Sequence, residues 1–408
     1  MSPSHLTAQL SAHAAALRHG LPSKNMQLIG VYGRDGSGVT IAALAEILKT
    51  TGQRVGIIAS EYVEVAGERA SGSDQAQPFE DPFRLQALLA DMRRAKCAYV
   101  LLELPVMLPA HQFAAIPLSL LLVRRIADAY LDQVTVAAAV THLGGLVRKT
   151  SGIIVVPRDD PGFEDISKHA QPGLLMSYGT DDPAETKIEK VQLYPKGCMV
   201  ELRVDHQTTL SLTSRLTGKQ TIYSLTAAAA AAYMLHVPLP EIEKGIAKLP
   251  QPAAAFEYVI TERPYQIVLD SSVSPNGIAE VAETLKHFAK NRLIAVVGAS
   301  LNQPAAWRSV IGEVVASFAD RVIITDGDYT AEEDAKTVRA QLIEGAARGG
   351  SEASLDEVAD RHAAFEKALS IARRGDIILV CGSSARAYRQ TGNERLAWSD
   401  KKIFEELL

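Results

Sequence analysis

The sequence predicts two consecutive α/β domains, the first carrying a small antiparallel β-subdomain, and three observations point to it. Apolar runs alternate with amphipathic helical stretches in both halves, the pattern of a mostly parallel sheet covered on both faces. Between residues 189 and 213 that texture gives way to short, alternating, β-branched runs. Near Gln251 the stretch PQPAAAF, rich in proline and small residues, interrupts the alternation before it begins again. At 408 residues, 47% hydrophobic and 22% charged, the chain is long enough to bury such cores.

The first twenty residues, MSPSHLTAQLSAHAAALRHG, have no basic flank leading into a continuous apolar core, so they read as an amphipathic helix and not a signal peptide. Residues 1–24 are taken as a helical arm. QLIGVY then reads as a strand, GRDGSG as a turn, and TIAALAEILKTTG as a helix whose apolar spacing stops at Gly52. RVGIIAS reads as a strand, FRLQALLADMRRAKC as a helix and AYVLLELP as a buried strand. Residues 100–123 are the most apolar stretch, but Glu103, His111, Gln112 and three prolines within it argue against a membrane span. The alternation resumes at VTVAAAVTHL and GIIVVPRDDP. KVQLYP, GCMVELRV and TTLSLTS form the antiparallel meander, and two helices, SLTAAAAAAYMLHV and PEIEKGIAKL, complete a first domain over 25–250. From 251 to 408 the strands YQIVLD, RLIAVVGAS, RVIITD and DIILVCGSS, separated by helices, predict a Rossmann-like sheet.

A formal net charge of -5 gives no electrostatic case for a nucleic-acid or anionic-membrane partner. Cys97, Cys198 and Cys381 are odd in number and far apart, which fits neither a disulfide framework nor a zinc site and suits a reducing cytoplasm. His111, His142 and His169 lie on separate elements without ligand spacing and read as solvated or structural.

The turn GRDGSG carries the chemistry. A glycine-rich loop between a buried strand and a helix holds phosphate through backbone N–H groups and the helix N-terminus, and Gly33, Gly36 and Gly38 supply the backbone freedom. A working phosphate loop also uses a lysine for the outer phosphates and a hydroxyl for Mg²⁺; those positions read Ser37 and Gly38. Arg34 and Thr40 are the residues nearest to a replacement. The same turn is also compatible with a tight strand-to-helix connection that binds nothing. Glu103, at a strand end, is either a metal ligand or a solvated acid.

With its surroundings, this loop makes the chain resemble the Mur ligases, and most of all the branch that adds the third amino acid to the muramyl peptide. LIGVYGRDGSGVTIAALAEILKTTGQRVGIIAS is similar to the family's strand, phosphate loop, helix and strand, and VLLELP to the strand ending in a magnesium-binding glutamate, here Glu103. PRDDPGFEDI, SYGTDDPAE and LTGKQTIYSLTAAAAAA follow in the family's order. So do LDSSVSPNGIAEVAETL, VVGAS, RSVIGEVVASFADRVIITD, DRHAAFEKAL, RGDIILVCGSSA and WSDKKIFEEL. The resemblance implies a central phosphate-loop domain followed by the family's C-terminal domain.

Several motif positions depart from the family. Its Asp-Tyr-Ala-His-Thr-Pro-Asp reads Asp270-Ser-Ser-Val273-Ser-Pro275-Asn276, and Gly-Lys-Gly-His-Glu reads Gly382-Ser383-Ser384-Ala385-Arg386. The Gly-Gly-Asp-Arg-Asp segment reads Ser300-Leu301-Asn302-Gln303-Pro304, leaving Arg308 from the basic pair that follows. The Asp-Asn-Pro-Arg loop reads Gly327-Asp328-Tyr329-Thr330, and Gly-Arg-Met-Glu keeps Glu257 but has Ala255 for its arginine. By the same resemblance, the loop and helix bearing the carbamylated lysine are cut down to THLGGLVRKTSG, with Lys149 the nearest lysine, and no counterpart of the uridine-binding domain is expected.

These departures lead to the expectation of a non-catalytic binding, scaffolding or regulatory relative of the ligases, working with a protein partner, as a homo-oligomer, or on a small-molecule or peptide ligand in the interdomain cleft. No cofactor is expected in that reading. The alternative is a divergent ATP- and Mg²⁺-dependent amide ligase relying on Glu103, Arg34, Lys149, Arg308 and Arg386, with Lys149 and Asp270 as candidate catalytic groups.

Overall fold

The computed structural model describes residues 3–33, 36–59, 62–69, 79, 81–104, 113–126, 133–251, 256–300, 303–350, 354–382 and 388–408. These fall into two units, one of Met1–Ala127, Asp132–Arg215 and Thr221–Pro250, the other of Asp128–Leu131, Leu216–Gln220 and Gln251–Leu408.

The first unit opens with α1 (Pro3–Arg18) and a 3-10 turn, then runs β1 (Gln27–Tyr32), α2 (Ser37–Thr50), β2 (Val55–Ile58), β3 (Val63–Val65), β4 (Glu68–Arg69), α3 (Pro82–Arg94), β5 (Tyr99–Leu104) and β6 (Leu118–Val123). It continues with α4 (Gln133–Lys149), β7 (Ile153–Pro157), α5 (Phe163–Ser167), β8 (Leu175–Gly179), β9 (Thr186–Tyr194), β10 (Gly197–Val204), β11 (Thr208–Ser214), α6 (Lys219–Met234) and α7 (Leu239–Lys248). The strands form one sheet in the order β11-β10-β9-β8-β7-β6-β1-β5-β2-β3-β4. Its central strands are parallel, as the uninterrupted apolar runs require. The meander β9-β10-β11 is antiparallel, with Val200 opposite Val191 and Leu212.

Strand β1 lies between β5 and β6, pairing Tyr32 with Leu104 on one side and with Val123 on the other. Helix α2 follows β1 directly. Ile41, Leu44, Ile47 and Leu48, at helical spacing, are fully buried, each contributing roughly 1.5–3 kcal/mol of burial. Its outer side carries α7: a side chain at Gly245 would run into the backbone of Ile47, so the helices touch main chain to main chain. Thr50 also donates to the Glu241 carbonyl at 3.2 Å.

VTVAAAVTHL, where the alternation of the sequence resumes, belongs to the 17-residue helix α4: Leu143, Leu146 and Val147 recur at helical spacing and are buried. The strand before it is LSLLLV, the end of the apolar stretch 100–123, which splits into β5 and β6. The segment 142–152, read from the sequence as what remains of the family's loop and helix, is the second half of α4 and its exit.

The second unit runs β12 (Glu257–Val259), β13 (Gln266–Leu269), α8 (Pro275–Phe288), β14 (Leu293–Val297), α9 (Ala305–Phe318), β15 (Arg321–Ile324), β16 (Tyr329–Thr330), α10 (Ala335–Gly349), β17 (Ser354–Glu357), α11 (Arg361–Ile371), β18 (Ile377–Cys381), β19 (Tyr388–Gly392), β20 (Glu394–Ala397) and α12 (Asp400–Leu407). Its main sheet has the order β12-β13-β18-β14-β15-β17, parallel except for the β12 edge, and β16-β19-β20 form a small second sheet. Ser274 caps α8 by accepting from Gly277 N–H at 3.0 Å, and Asp360 caps α11 by accepting from Ala363 N–H at 2.8 Å. Arg361 is fully buried and holds Asp400 through two hydrogen bonds of 3.0 and 2.6 Å; Trp398 Nε1 donates to the same carboxylate at 2.6 Å.

Candidate functional site

In a parallel sheet, ligands meet the carboxyl ends of the strands, and at that edge β1 delivers Gly33 while β5 delivers Glu103. Gly36 precedes α2 with φ +79°, a left-handed conformation that costs a side-chain-bearing residue about 1–2 kcal/mol. Gly36 makes no side-chain cap, so the opening turn of α2 keeps its N–H face toward the loop. Thr40 turns inward, its hydroxyl donating to the Gly36 carbonyl at 2.8 Å, which removes it from the phosphate face. Ser37 is buried, and its hydroxyl donates to Glu103 Oε1 at 2.6 Å. The hydroxyl at the lysine position and the carboxylate at the strand end thus form one polar pair at the mouth of the loop.

A cation that the sequence reading missed lies beside this pair. Arg124 directly follows β6, its N–H donating to the Tyr32 carbonyl at 2.7 Å. Its side chain, 2% exposed, runs along the loop. A Cβ on Gly33 would meet Arg124 Cβ at 2.9 Å, and one on Gly36 would meet Arg124 Nε at 3.0 Å. Nε donates to Ser224 Oγ at 3.1 Å, and Ser224 Oγ donates to the Gly36 carbonyl at 3.1 Å. The guanidinium carbon stands 5.5 Å from the centre of the Tyr223 ring, whose hydroxyl is hydrogen-bonded to Asp159. Asp159 also accepts from Thr180 N–H and Thr180 Oγ1, at 2.9 and 2.8 Å. Burial, and then the neighbouring Asp159, push the Tyr223 phenol above its ordinary value, so it stays a donor. The sequence signal was the pair Arg124-Arg125 at the end of an apolar strand; its meaning depended on β6 being the neighbour of β1.

The other candidates are placed elsewhere. Lys149 ends α4, the helix that feeds the amino end of β7, so it lies at the sheet edge opposite the loop. Arg308 belongs to the second unit, is 4% exposed, pairs with Glu333 and donates to Gln341 Oε1 at 3.1 Å. Asp270, also in that unit, accepts from Phe256 N–H at 2.8 Å and from Ser272 N–H at 2.9 Å, and so fixes a turn. Glu257 pairs with Lys401 at 2.6 Å. Arg34, Arg386, His111 and Ala255 lie outside the described residues. His142 packs edge-on to Tyr32, and burial lowers its pKa, which keeps the imidazole neutral. Among the described residues no helix is long and apolar enough to cross a membrane, and no group of three or more His, Cys, Asp or Glu could hold a metal ion.

Comparison with known proteins agrees with this layout. The Mur ligase middle domain family matches residues 33–232, and the Mur ligase glutamate ligase domain family matches 256–384. The UDP-N-acetylmuramoyl-L-alanyl-D-glutamate--2,6-diaminopimelate ligase of Halalkalibacterium halodurans is 25% identical over 404 residues, 97% of this chain and 81% of its own. The ligase of the same description from Lactiplantibacillus plantarum is 24% identical over 407 residues, 97% and 80% of the two chains. Two solved structures share the fold. One is a UDP-N-acetylmuramoyl-L-alanyl-D-glutamate--2,6-diaminopimelate ligase, with TM-score 0.65, 19% identity and coverage of 98% and 82%. The other is Mycobacterium tuberculosis folylpolyglutamate synthase complexed with ADP, with TM-score 0.74, 15% identity and coverage of 94% and 93%. With its glycine-rich loop, its strand-end glutamate and both matched domains in order, the chain belongs to the Mur ligase family.

Proposed function

We propose that this chain is a divergent ATP-dependent acid–amino acid ligase, the alternative and not the leading expectation from the sequence. The observation that carries it is the Ser37–Glu103 pair, which sets a hydroxyl and a carboxylate together at the N-terminus of α2. These hard oxygen donors suit Mg²⁺, with the remaining ligands coming from nucleotide oxygens and water, and the ion would neutralise phosphate charge when bound. The relatives reported above are named as ligases, which supports an active reading over a non-catalytic one.

In the reaction so proposed, a substrate carboxylate oxygen attacks the γ-phosphorus of ATP, the bond to the bridging oxygen breaks, and ADP leaves. The amine of the second substrate then attacks the acyl carbon of the acyl phosphate, phosphate departs, and the nitrogen loses its proton to give the amide. The protein's part is positioning and electrostatics. Backbone N–H groups at the start of α2 face the phosphates, and Gly36 keeps the loop in the conformation that aims them.

The test is ADP formation from MgATP by the purified chain, over a panel of γ-glutamyl and muramyl-peptide carboxylates with amino acids, and amide product followed by mass spectrometry. Mg²⁺-dependent ADP with stoichiometric amide supports the reading. Nucleotide binding without turnover across the panel would instead favour the non-catalytic reading, to which the serine at the lysine position also points. Absence of nucleotide binding would overturn the ligase reading.

A further inference from the structure

We infer that Arg124 is the cation of the phosphate loop, a positioning residue that supplies from the end of β6 the positive charge that Ser37 does not. The inference rests on the nucleotide-binding part of the function proposed above. It deepens that reading by assigning the charge on which phosphate recognition depends.

The geometry places Arg124 under the loop along its whole described length, its Cβ against Gly33 and its Nε against Gly36. A guanidinium stays ionised at any ordinary pH. Keeping one 2% exposed beneath a backbone turn costs solvation that an apolar side chain of similar bulk would not. A charge held there acts on an anion in the loop with little screening by water. Ser224 fixes the side chain by accepting from Nε and ties it to the Gly36 carbonyl, so charge and loop are held in one register. Tyr223 covers the guanidinium face and is itself anchored on Asp159. The charge acts from behind the backbone, in concert with the N–H groups at the start of α2, so its effect scales with the number of phosphates. A packing role would not distinguish phosphates from the nucleoside.

The experiment is calorimetric titration of the full chain, in the presence of Mg²⁺, with adenosine, AMP, ADP and ATP, for the wild type, Arg124→Gln, Arg124→Lys and Ser224→Ala. Arg124→Gln is expected to weaken ATP and ADP by at least about tenfold, the size of one charge-assisted contact, and to leave adenosine unchanged. Arg124→Lys should retain most of the ATP affinity. Ser224→Ala should weaken ATP by a smaller factor, again without touching adenosine, and serves as the test if Arg124→Gln does not fold. Equal loss for adenosine and ATP, or no loss for ATP in whichever variant folds, would overturn the assignment while leaving nucleotide binding intact. Failure of the wild type to bind ATP would overturn the function proposed above, and this inference with it.

Discussion

Two glycines only two residues apart should respond in opposite directions to the same methyl group. Gly36 has φ +79°, and a Cβ there would meet Ser224 Oγ at 2.8 Å and Arg124 Nε at 3.0 Å. Gly36→Ala therefore carries about 1–2 kcal/mol of left-handed backbone strain, plus about 1–3 kcal/mol for forcing a methyl against a hydrogen-bonded pair. Gly38 lies inside α2, and nothing stands within 4 Å of a Cβ built on it. Gly38→Ala should stabilise by up to about 1 kcal/mol, the helix-propensity difference. Urea unfolding separates the units, since both tryptophans, Trp307 and Trp398, lie in the second unit. Their fluorescence reports that unit, while far-UV circular dichroism reports both. Gly36→Ala should move only the transition seen by circular dichroism, to lower urea, and Gly38→Ala should move it upward. Equal shifts of the same sign, or a Gly36→Ala effect confined to tryptophan fluorescence, would refute the loop geometry.

Three further outcomes follow from the same geometry. The double variant Ser37→Lys with Gly38→Thr gives the loop its own cation and moves its hydroxyl from Ser37 to position 38, where Gly38 has room; MgATP affinity should rise about tenfold or more by calorimetry. Glu103→Gln keeps a partner for Ser37 but removes the negative charge, so the dependence of nucleotide affinity on Mg²⁺ concentration should flatten while affinity without Mg²⁺ holds or rises. Asp400→Asn takes from the fully buried Arg361 the carboxylate it is hydrogen-bonded to, leaving Asp328 as a more distant counter-charge, and should destabilise the second unit by about 3 kcal/mol, read by tryptophan fluorescence in urea. Burial opposes ionisation of Asp400, but Arg361's charge and hydrogen bonds outweigh it and hold the carboxyl below its ordinary value. The stabilisation from this pair is thus complete above about pH 4 and lost as pH falls through the folded-state value, and Asp400→Asn should remove that component of the acid transition.

Much of the fold is legible because periodicity and punctuation agree. Ile41, Leu44 and Leu48 mark α2 and Gly52 stops it; the alternation of GCMVELRV marks β10, whose Cys198, Val200, Leu202 and Val204 all point inward. Where an apolar stretch holds two strands, as from Tyr99 to Val123, its prolines and polar residues argue against one continuous span, but the neighbours of β6 stay hidden until the sheet order is known. Two-residue β16 and the β19-β20 hairpin exist through pairing alone. The site follows the same division. Gly33 and Glu103 sit at the strand ends, and Gly36 at the helix start, that sequence order gives. Arg124, Ser224 and Asp159 come from three distant segments and meet only through the β7-β6-β1 order and the return of α6. Lys149 is not brought to the loop for the converse reason: nearness in sequence to a motif does not say at which edge of the sheet a helix ends.

The contact of α7 with α2 through Gly245 has a thermodynamic corollary. Because backbone meets backbone there, α2 can neither rotate nor slide without displacing α7, so the orientation of its opening turn is set by the fold. The entropy of ordering that helix is met on folding, not on binding. If the proposed nucleotide binds there, its association should show a small heat-capacity change from α2, at a rate governed by encounter and not by rearrangement of that helix. Substituting Gly245 with alanine, far from any ligand, would reopen that entropic term and weaken phosphate binding without altering a single group that faces it.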